Sequence, residues 1–221
     1  MAKFEVVMPT NPKLLSLIGA ICTRVKEKEG YLTKTKLIKY LYLIDIEYYK
    51  KFGTTFTGYN WIFYEFGPWA YEYNDTFQQM EKDPNFRLDK GDAVLISCRE
   101  RESLESVLYN DDLLMRAMRI IDRWAVESLG ELLNYVYFHT DPMENAERNK
   151  PLDFEKVKSA EPIPKFSLTP GSKSQKDKAE ILKRIQDRIA TRPKSMPKFT
   201  PPKFDEKYFE AVQVLDKEDQ G

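Results

Sequence analysis

The chain has 221 residues, of which 32% are charged and 42% hydrophobic, a composition typical of a soluble globular protein and not of a disordered one. The formal net charge is zero, but residues 165–203 contain eleven Lys/Arg and three Asp/Glu, so this segment carries +8 and the rest of the chain −8. A basic segment on an acidic body can contact an acidic partner, nucleic acid or the body itself; a solvated linker is the alternative.

The cysteines and the longest apolar run indicate where the protein resides. Cys22 lies inside an apolar run, which favours a buried free thiol in a reducing compartment. The run 14–22 is nine residues long, too short to span a membrane and poorly placed for a signal peptide. We therefore expect a cytoplasmic protein with no membrane partner.

Two helices are predicted first. Residues 12–29 have apolar side chains at helical spacing, with Pro12 suited to the first turn and Gly30 suited to the end. Thr33 can cap a second helix that closes at Gly53, with an apolar stripe at Leu37, Leu41, Ile44 and Tyr48. The lysines of this helix are expected on its solvent side, namely Lys34, Lys36, Lys39, Lys50 and Lys51.

Short extended segments and a hairpin are predicted next. Residues 54–66 are rich in aromatic residues and Thr, which favours extended structure, and Pro68 is expected to start a third helix that runs to about Met80. The turn-forming residues 89–92 lie between two apolar segments and predict a β-hairpin.

The later part of the body is predicted to be helical. Asn110 or Asp111 can cap a long helix, Ser128 opens another in a capping box, and Asp141 marks a third helix start. The expected fold is mainly α (α+β), a compact bundle of about six helices with a small β-hairpin, in a domain of residues 1–158.

Residues 159–221 are expected to form a basic, Pro-rich C-terminal extension with two short amphipathic helices, 174–190 and 204–215. Burial of the four aliphatic side chains in the first helix would contribute roughly 6–12 kcal/mol. Ordering about sixteen backbone units costs about 1–2 kcal/mol each, so this helix forms only if its stripe docks on the body or a partner. The stripe consists of Ile181, Leu182, Ile185 and Ile189.

Residues that could support catalysis or hold a metal are sparse in the sequence. His139 is the only histidine, no second His or nearby Cys could complete a metal site with it, and the chain has no Gly-x-Ser-x-Gly elbow. Asp45 and Glu47 are two residues apart on a helix and do not face each other. We therefore predict a protein that is not an enzyme and has no catalytic residue, metal or cofactor.

Aromatic residues are the remaining candidates for a binding surface. Trp61, Phe63 and Trp69 fit either the core or a protein interface, and exposed Trp is a favoured hot-spot residue. Lysines of the second helix with aromatics at 59–73 could also bind nucleic acid, although Asp45 and Glu47 would repel phosphate. The partner-binding candidates are Trp61, Phe63, Trp69, Ile181, Leu182, Ile185 and Ile189.

Several ordered motifs resemble the Panacea domain, also called the SocA-like antitoxin domain. Its members show a Lys-Leu-x-x-Leu-x-Tyr-x-x-Asp helix, a Gly and Thr-Gly turn, and an aromatic-Gly-Pro segment. The matching residues of this chain, together with a closing segment, span about residues 12–155. They are Lys36 to Asp45, Tyr48-Tyr49, Gly53, Thr57-Gly58, Tyr64-Glu65-Phe66-Gly67-Pro68, Leu133 to Tyr137, Asp141-Pro142-Met143 and Pro151-Leu152-Asp153-Phe154.

The resemblance implies a bacterial or phage antitoxin that neutralises a co-encoded toxin by direct binding. It implies as partners a protein toxin encoded nearby and, for a proteolytic adaptor, an ATP-dependent protease, and it supplies no catalytic residues. The alternative is a phage or mobile-element regulator or adaptor that binds a host protein or DNA. The contact surface is expected to include the C-terminal extension.

Overall fold

The computed structural model describes residues 12–91, 93–99, 101–157, 202 and 206–210, all of which belong to one compact unit. Within them the fold is mainly α with two antiparallel β-hairpins, which confirms the predicted class. The helices are α1 (Pro12–Glu27), α2 (Lys34–Phe52), α3 (Glu72–Lys82), α4 (Leu104–Val107), α5 (Asp111–Trp124) and α6 (Leu129–His139). The strands are β1 (Ile62–Tyr64), β2 (Gly67–Trp69), β3 (Phe86–Lys90) and β4 (Val94–Cys98), and 3-10 turns cover Asp141–Met143 and Phe154–Lys156.

Helix α2 lies at the centre of the fold. Its residues from Lys36 to Ile46 are all buried, because α2 packs against α5, α6, β2 and β4. The Thr33 hydroxyl accepts a hydrogen bond from the backbone N–H of Lys36 at 3.0 Å, as expected of an N-cap. At the other end Gly53 adopts a left-handed conformation, with φ of 69°, and donates its N–H to the carbonyl of Tyr49. Both predicted boundaries of this helix are confirmed.

The segment around Pro68 is a strand and not the start of a helix, so that prediction was wrong. Strand β2 pairs antiparallel with β1, placing Pro68 opposite Phe63, and α3 begins only at Glu72. A proline lacks the N–H that a central strand needs, but it is tolerated at the edge of a two-stranded sheet. Residues 149–152 run along the other side of β1, where Leu152 donates its N–H to the carbonyl of Trp61 at 2.8 Å.

The second hairpin confirms the prediction from the turn at 89–92. Strands β3 and β4 pair antiparallel from Phe86 opposite Cys98 to Lys90 opposite Val94. The backbone N–H of Ile96 donates to the carbonyl of Leu32 at 2.8 Å, so the hairpin is attached to the connection between α1 and α2.

Local capping explains the later helices. Asn110 caps α5 and Ser128 caps α6, each accepting a hydrogen bond from the backbone N–H three residues later. Asp141, in contrast, opens only a 3-10 turn, and the capping position is Thr140, whose hydroxyl donates to the carbonyl of Val136 at 2.6 Å. A helix therefore starts at Asp141 as predicted, with Pro142 in its first turn, but it is a single 3-10 turn and its N-cap position is Thr140 and not Asp141.

Part of the predicted C-terminal extension falls inside the described residues. Residues 206–210 are helical and lie within the predicted helix 204–215. The predicted helix 174–190 lies outside the described residues, and the boundary at residue 158 stays a prediction. No helix in the described ranges is long and apolar enough to cross a membrane.

Candidate partner-binding surface

Two lysines of α2 are buried, which corrects the expectation that they face solvent. Lys39 donates from Nζ to the carbonyl oxygens of Phe66 at 2.5 Å and Pro68 at 2.9 Å. Burial lowers the pKa of Lys39 from 10.5 to about 7, because the charged form loses its hydration. The Nζ of Lys36 lies 3.8 Å from the centroid of the Tyr31 ring, a cation–π contact.

Asp45 is fully buried and accepts hydrogen bonds from four donors. These are the backbone N–H groups of Phe56 at 2.8 Å and Thr57 at 3.0 Å, the Thr57 hydroxyl, and the Trp61 indole Nε1–H at 2.8 Å. Burial raises the pKa of Asp45 to about 6, while the donors favour the ionised form and oppose this rise. This carboxylate therefore holds the 56–57 turn and the Trp61 ring against α2.

Other motif residues form similar contacts with α2 and α6. The Tyr42 hydroxyl lies 3.2 Å from the hydroxyl of Thr140, and the Tyr42 ring packs edge-on against Phe154. Gly67 has φ of 88°, and a Cβ at this position would lie 2.9 Å from the Tyr137 ring. These motif residues thus connect α2 to the turn at 56–57, to β2 and to the residue that follows α6, and they pack β2 against α6.

The structure places the three predicted aromatic contact residues differently. Trp61 and Phe63 are only 3% and 2% exposed. Trp61 packs edge-on against Tyr42, and Phe63 packs edge-on against Tyr137. Their burial favours the interpretation that both are core residues. In this conformation neither side chain has an exposed surface that a partner could contact.

Trp69 is half-buried, with its ring 5.5 Å from the Tyr73 ring. Ile181, Leu182, Ile185 and Ile189 lie outside the described residues.

An aromatic groove that the sequence did not reveal lies where α2 ends and α5 begins. Phe52 is 48% exposed and Tyr109 is 80% exposed, although both are large aromatic side chains. The groove has a volume of about 420 Å³. Its lining consists of Lys13, Tyr48, Phe52, Phe56, Val107, Leu108, Tyr109, Asn110 and Leu113. Exposed aromatic side chains that line a depression are typical of protein-binding hot spots.

A simple sequence signal for this groove was lacking. Phe52 and Tyr109 each lie beside a helix boundary, at Gly53 and Asn110, and such positions carry no hydrophobic periodicity that distinguishes core from surface. Only the approach of α2 to α5 brings the two residues to one groove.

The C-terminal turn at 206–210 covers part of α6. The Tyr208 ring packs 5.2 Å from the Tyr137 ring and 5.8 Å from the Phe138 ring, and its hydroxyl donates to the side-chain oxygen of Asn134. Lys207 forms an ion pair with Glu65 at 3.3 Å. This part of the extension therefore contacts the body of the same chain.

Within the described ranges no group of three or more His, Cys, Asp or Glu residues is placed to hold a metal ion. His139 stacks on Tyr135 with ring centroids 5.5 Å apart, at the end of α6.

The family assignment comes from comparison with known proteins. The family model described as "Antitoxin SocA-like, Panacea domain" matches residues 37–191. The chain belongs to this family. No curated protein and no solved structure matches it. The SocA-like match begins inside α2, later than the resemblance at residue 12 suggested, and ends beyond residue 155, so it includes the stripe at 181–189.

Proposed function

We propose that this SocA-like protein is an antitoxin that neutralises a co-encoded toxin by binding it directly. The observation that supports this role is the family match over residues 37–191, which indicates a protein partner in general. We place the protein in the cytoplasm, where a co-encoded toxin would be synthesised beside it. For one mode of neutralisation, the bound toxin is delivered to an ATP-dependent protease.

The proposed contact surface has two parts. The first is the aromatic groove, where Phe52 and Tyr109 can bury apolar area against the toxin without rearrangement of the core. The second is the predicted apolar stripe of the C-terminal extension, represented by Ile185 and Ile189, for which we expect a helix only when it docks on another surface.

The buried motif residues support neutralisation by binding over neutralisation by chemistry. Lys39 and Asp45, two ionisable motif residues of α2, are inaccessible to solvent and occupied by structural hydrogen bonds. A general acid or base must reach a substrate atom within hydrogen-bond distance. In this conformation neither group can do so.

Growth rescue tests the proposed function. Expression of a toxic neighbouring open reading frame should arrest growth, and co-expression of this protein should restore it. Tyr109→Asp should abolish rescue, since it places a charge in the groove, whereas Tyr71→Asp alters an exposed aromatic outside the groove lining and should leave rescue intact. Rescue that is equally strong with both variants would exclude the groove as the toxin contact. Failure of the wild-type protein to rescue any adjacent gene would contradict the antitoxin role.

A further inference from the structure

The two cysteines meet where α1 crosses the end of β4. Cys22 is in the second half of α1 and Cys98 is the last residue of β4, and the Cys98 Sγ lies 3.5 Å from the hydroxyl oxygen of Thr23, the residue after Cys22. The Cys22 Sγ lies 3.8 Å from the carbonyl oxygen of Ile96, and the Cys98 Sγ lies 3.6 Å from that of Gly19. Each sulfur thus contacts a backbone carbonyl two or three residues before the other cysteine in the chain. These contacts hold both side chains between α1 and β4.

The two thiols differ in accessibility. Cys22 is only 4% exposed, whereas Cys98 is half-buried and lines a cavity of about 220 Å³. The cavity has three cationic side chains and one carboxylate, and its lining consists of Thr23, Lys26, Glu27, Cys98, Arg99 and Arg101. A small molecule in this cavity would contact Cys98, whereas Cys22 is buried and is not part of the lining.

The two thiols also differ in acidity. The hydrogen bond from Cys22 lowers the pKa of Cys98 to about 6, assisted by the Thr23 hydroxyl at 3.5 Å and by Lys26, while burial and Glu102 act in the opposite direction. The same hydrogen bond, together with burial, raises the pKa of Cys22. At neutral pH Cys98 is therefore mainly a thiolate and Cys22 a thiol, which is the arrangement of an attacking and a resolving cysteine.

We propose that Cys98 and Cys22 form a reactive dithiol that exchanges with a small anionic disulfide bound in the cavity at Cys98. In the first step the Cys98 thiolate attacks one sulfur of the disulfide, a Cys98–sulfur bond forms, the original S–S bond breaks, and one small thiolate leaves. In the second step the Cys22 sulfur attacks the Cys98 sulfur, the bond from Cys98 to the small molecule breaks, and the proton of Cys22 passes to the departing sulfur, which leaves as the second small thiol. The two protein thiols are oxidised to one disulfide, and the small disulfide is reduced to two thiols.

The charge of the cavity selects the class of disulfide. Lys26, Arg99 and Arg101 outnumber Glu27 on its wall, so the local potential favours a ligand with carboxylate groups. The chemistry is independent of the proposed antitoxin role, because it requires only α1, β4 and the adjoining residues.

Glutathione disulfide, as an anionic probe, tests the exchange at pH 7 with the full chain. The wild-type protein should lose both free thiols and gain no stable glutathione adduct. Cys22→Ser should stop at a mixed disulfide on Cys98, and Cys98→Ser should stay unmodified because Cys22 is buried. Far-UV circular dichroism checks that both variants keep the wild-type fold. A wild-type protein that keeps its thiols, or one that accumulates the mixed disulfide, would overturn the proposal.

Neutralising the cavity tests the charge selection separately. The double variant Arg99→Gln/Arg101→Gln should slow the reaction with glutathione disulfide by roughly five- to tenfold. Its reaction with the uncharged 2-hydroxyethyl disulfide should change less than about twofold, since no charge attraction is lost. Equal slowing with both reagents would contradict anion selection by the cavity.

Discussion

Lys39 and Asp45 are two buried ionisable side chains of α2 that do not pair with each other. Each instead binds backbone or side-chain groups of the residues that follow α2 in the chain. A buried charged group is tolerated only when its hydrogen-bonding capacity is filled. These side chains therefore fix the path of residues 54–69 across α2.

Removal of the Asp45 charge should destabilise the fold. Asp45→Asn replaces one acceptor oxygen with an N–H group, so at least one of the four donors loses its partner. We expect the free energy of unfolding at pH 7.5 to fall by about 2–4 kcal/mol, measured by urea denaturation. Asp75 is exposed on α3, so the matched control Asp75→Asn should change the free energy of unfolding by less than about 0.5 kcal/mol. Equal effects of the two substitutions would contradict the structural role of Asp45.

Lys39 should make stability depend on pH above neutrality. Its pKa is about 7 in the folded state and 10.5 in the ordinary state, so between these values the unfolded chain keeps a proton that the folded chain has released. The free energy of unfolding therefore rises with pH between about 7 and 10.5. Below this range Lys39 is protonated in both states, so it contributes no pH dependence. From pH 7 to pH 9 this rise is about 2–3 kcal/mol.

The variant Lys39→Met isolates this contribution. Cys98, whose folded-state pKa is also lowered, raises stability in the same pH range in both proteins. The increase in unfolding free energy from pH 7 to pH 9 should be smaller in Lys39→Met than in the wild-type protein. The difference should be about 2–3 kcal/mol, which is the contribution of Lys39. Identical pH profiles of the two proteins, measured by denaturant titration, would show that Lys39 keeps its proton when buried.

The burial of these lysines could not be predicted from the sequence. Lys36 and Lys39 are three residues apart among apolar neighbours, which is also the pattern of lysines on a solvent-facing stripe. The acceptors of Lys39 are backbone carbonyls at Phe66 and Pro68, and every residue has such a carbonyl. The carbonyls become a binding site only after the chain has folded back over α2.

At the scale of elements, the caps of α2, α5 and α6 were predicted correctly and the β1–β2 hairpin was not. Thr33, Asn110 and Ser128 bind backbone groups three residues away, so the sequence holds both partners of each cap. The strand at Pro68 depends on Lys39, which is 29 residues distant, and on pairing with β1. Proline alone fits both the first turn of a helix and an edge strand.

Gly67 and Gly58 provide a matched test of the packing between β2 and α6. Both have positive φ, but only at Gly67 would a Cβ meet a neighbour, at 2.9 Å from the Tyr137 ring. Gly58→Ala should cost about 1 kcal/mol from backbone strain. Gly67→Ala should cost about 2–4 kcal/mol, since overpacking adds to the strain. Thermal denaturation measures both, and equal costs would mean that Tyr137 moves aside freely.

At the scale of the whole molecule, the buried motifs and the exposed groove serve different purposes. The motif residues of the SocA-like family secure α2 to its surroundings, so they are expected to specify the fold whatever the toxin is. The exposed Phe52 and Tyr109 lie outside these contacts and can change without loss of the core. Recognition of the fold from sequence therefore rested on residues that make mostly internal contacts, and of the motif residues named above Tyr48 alone is part of the groove lining.

Direct binding between the purified protein and the product of a toxic neighbouring open reading frame tests the antitoxin role most directly. Isothermal titration calorimetry should give a Kd of about 1 μM or tighter. Tyr109→Asp should weaken binding at least about tenfold, and Tyr71→Asp should not, because only the former alters the groove. No heat of binding at concentrations of about 100 μM would contradict neutralisation by direct contact.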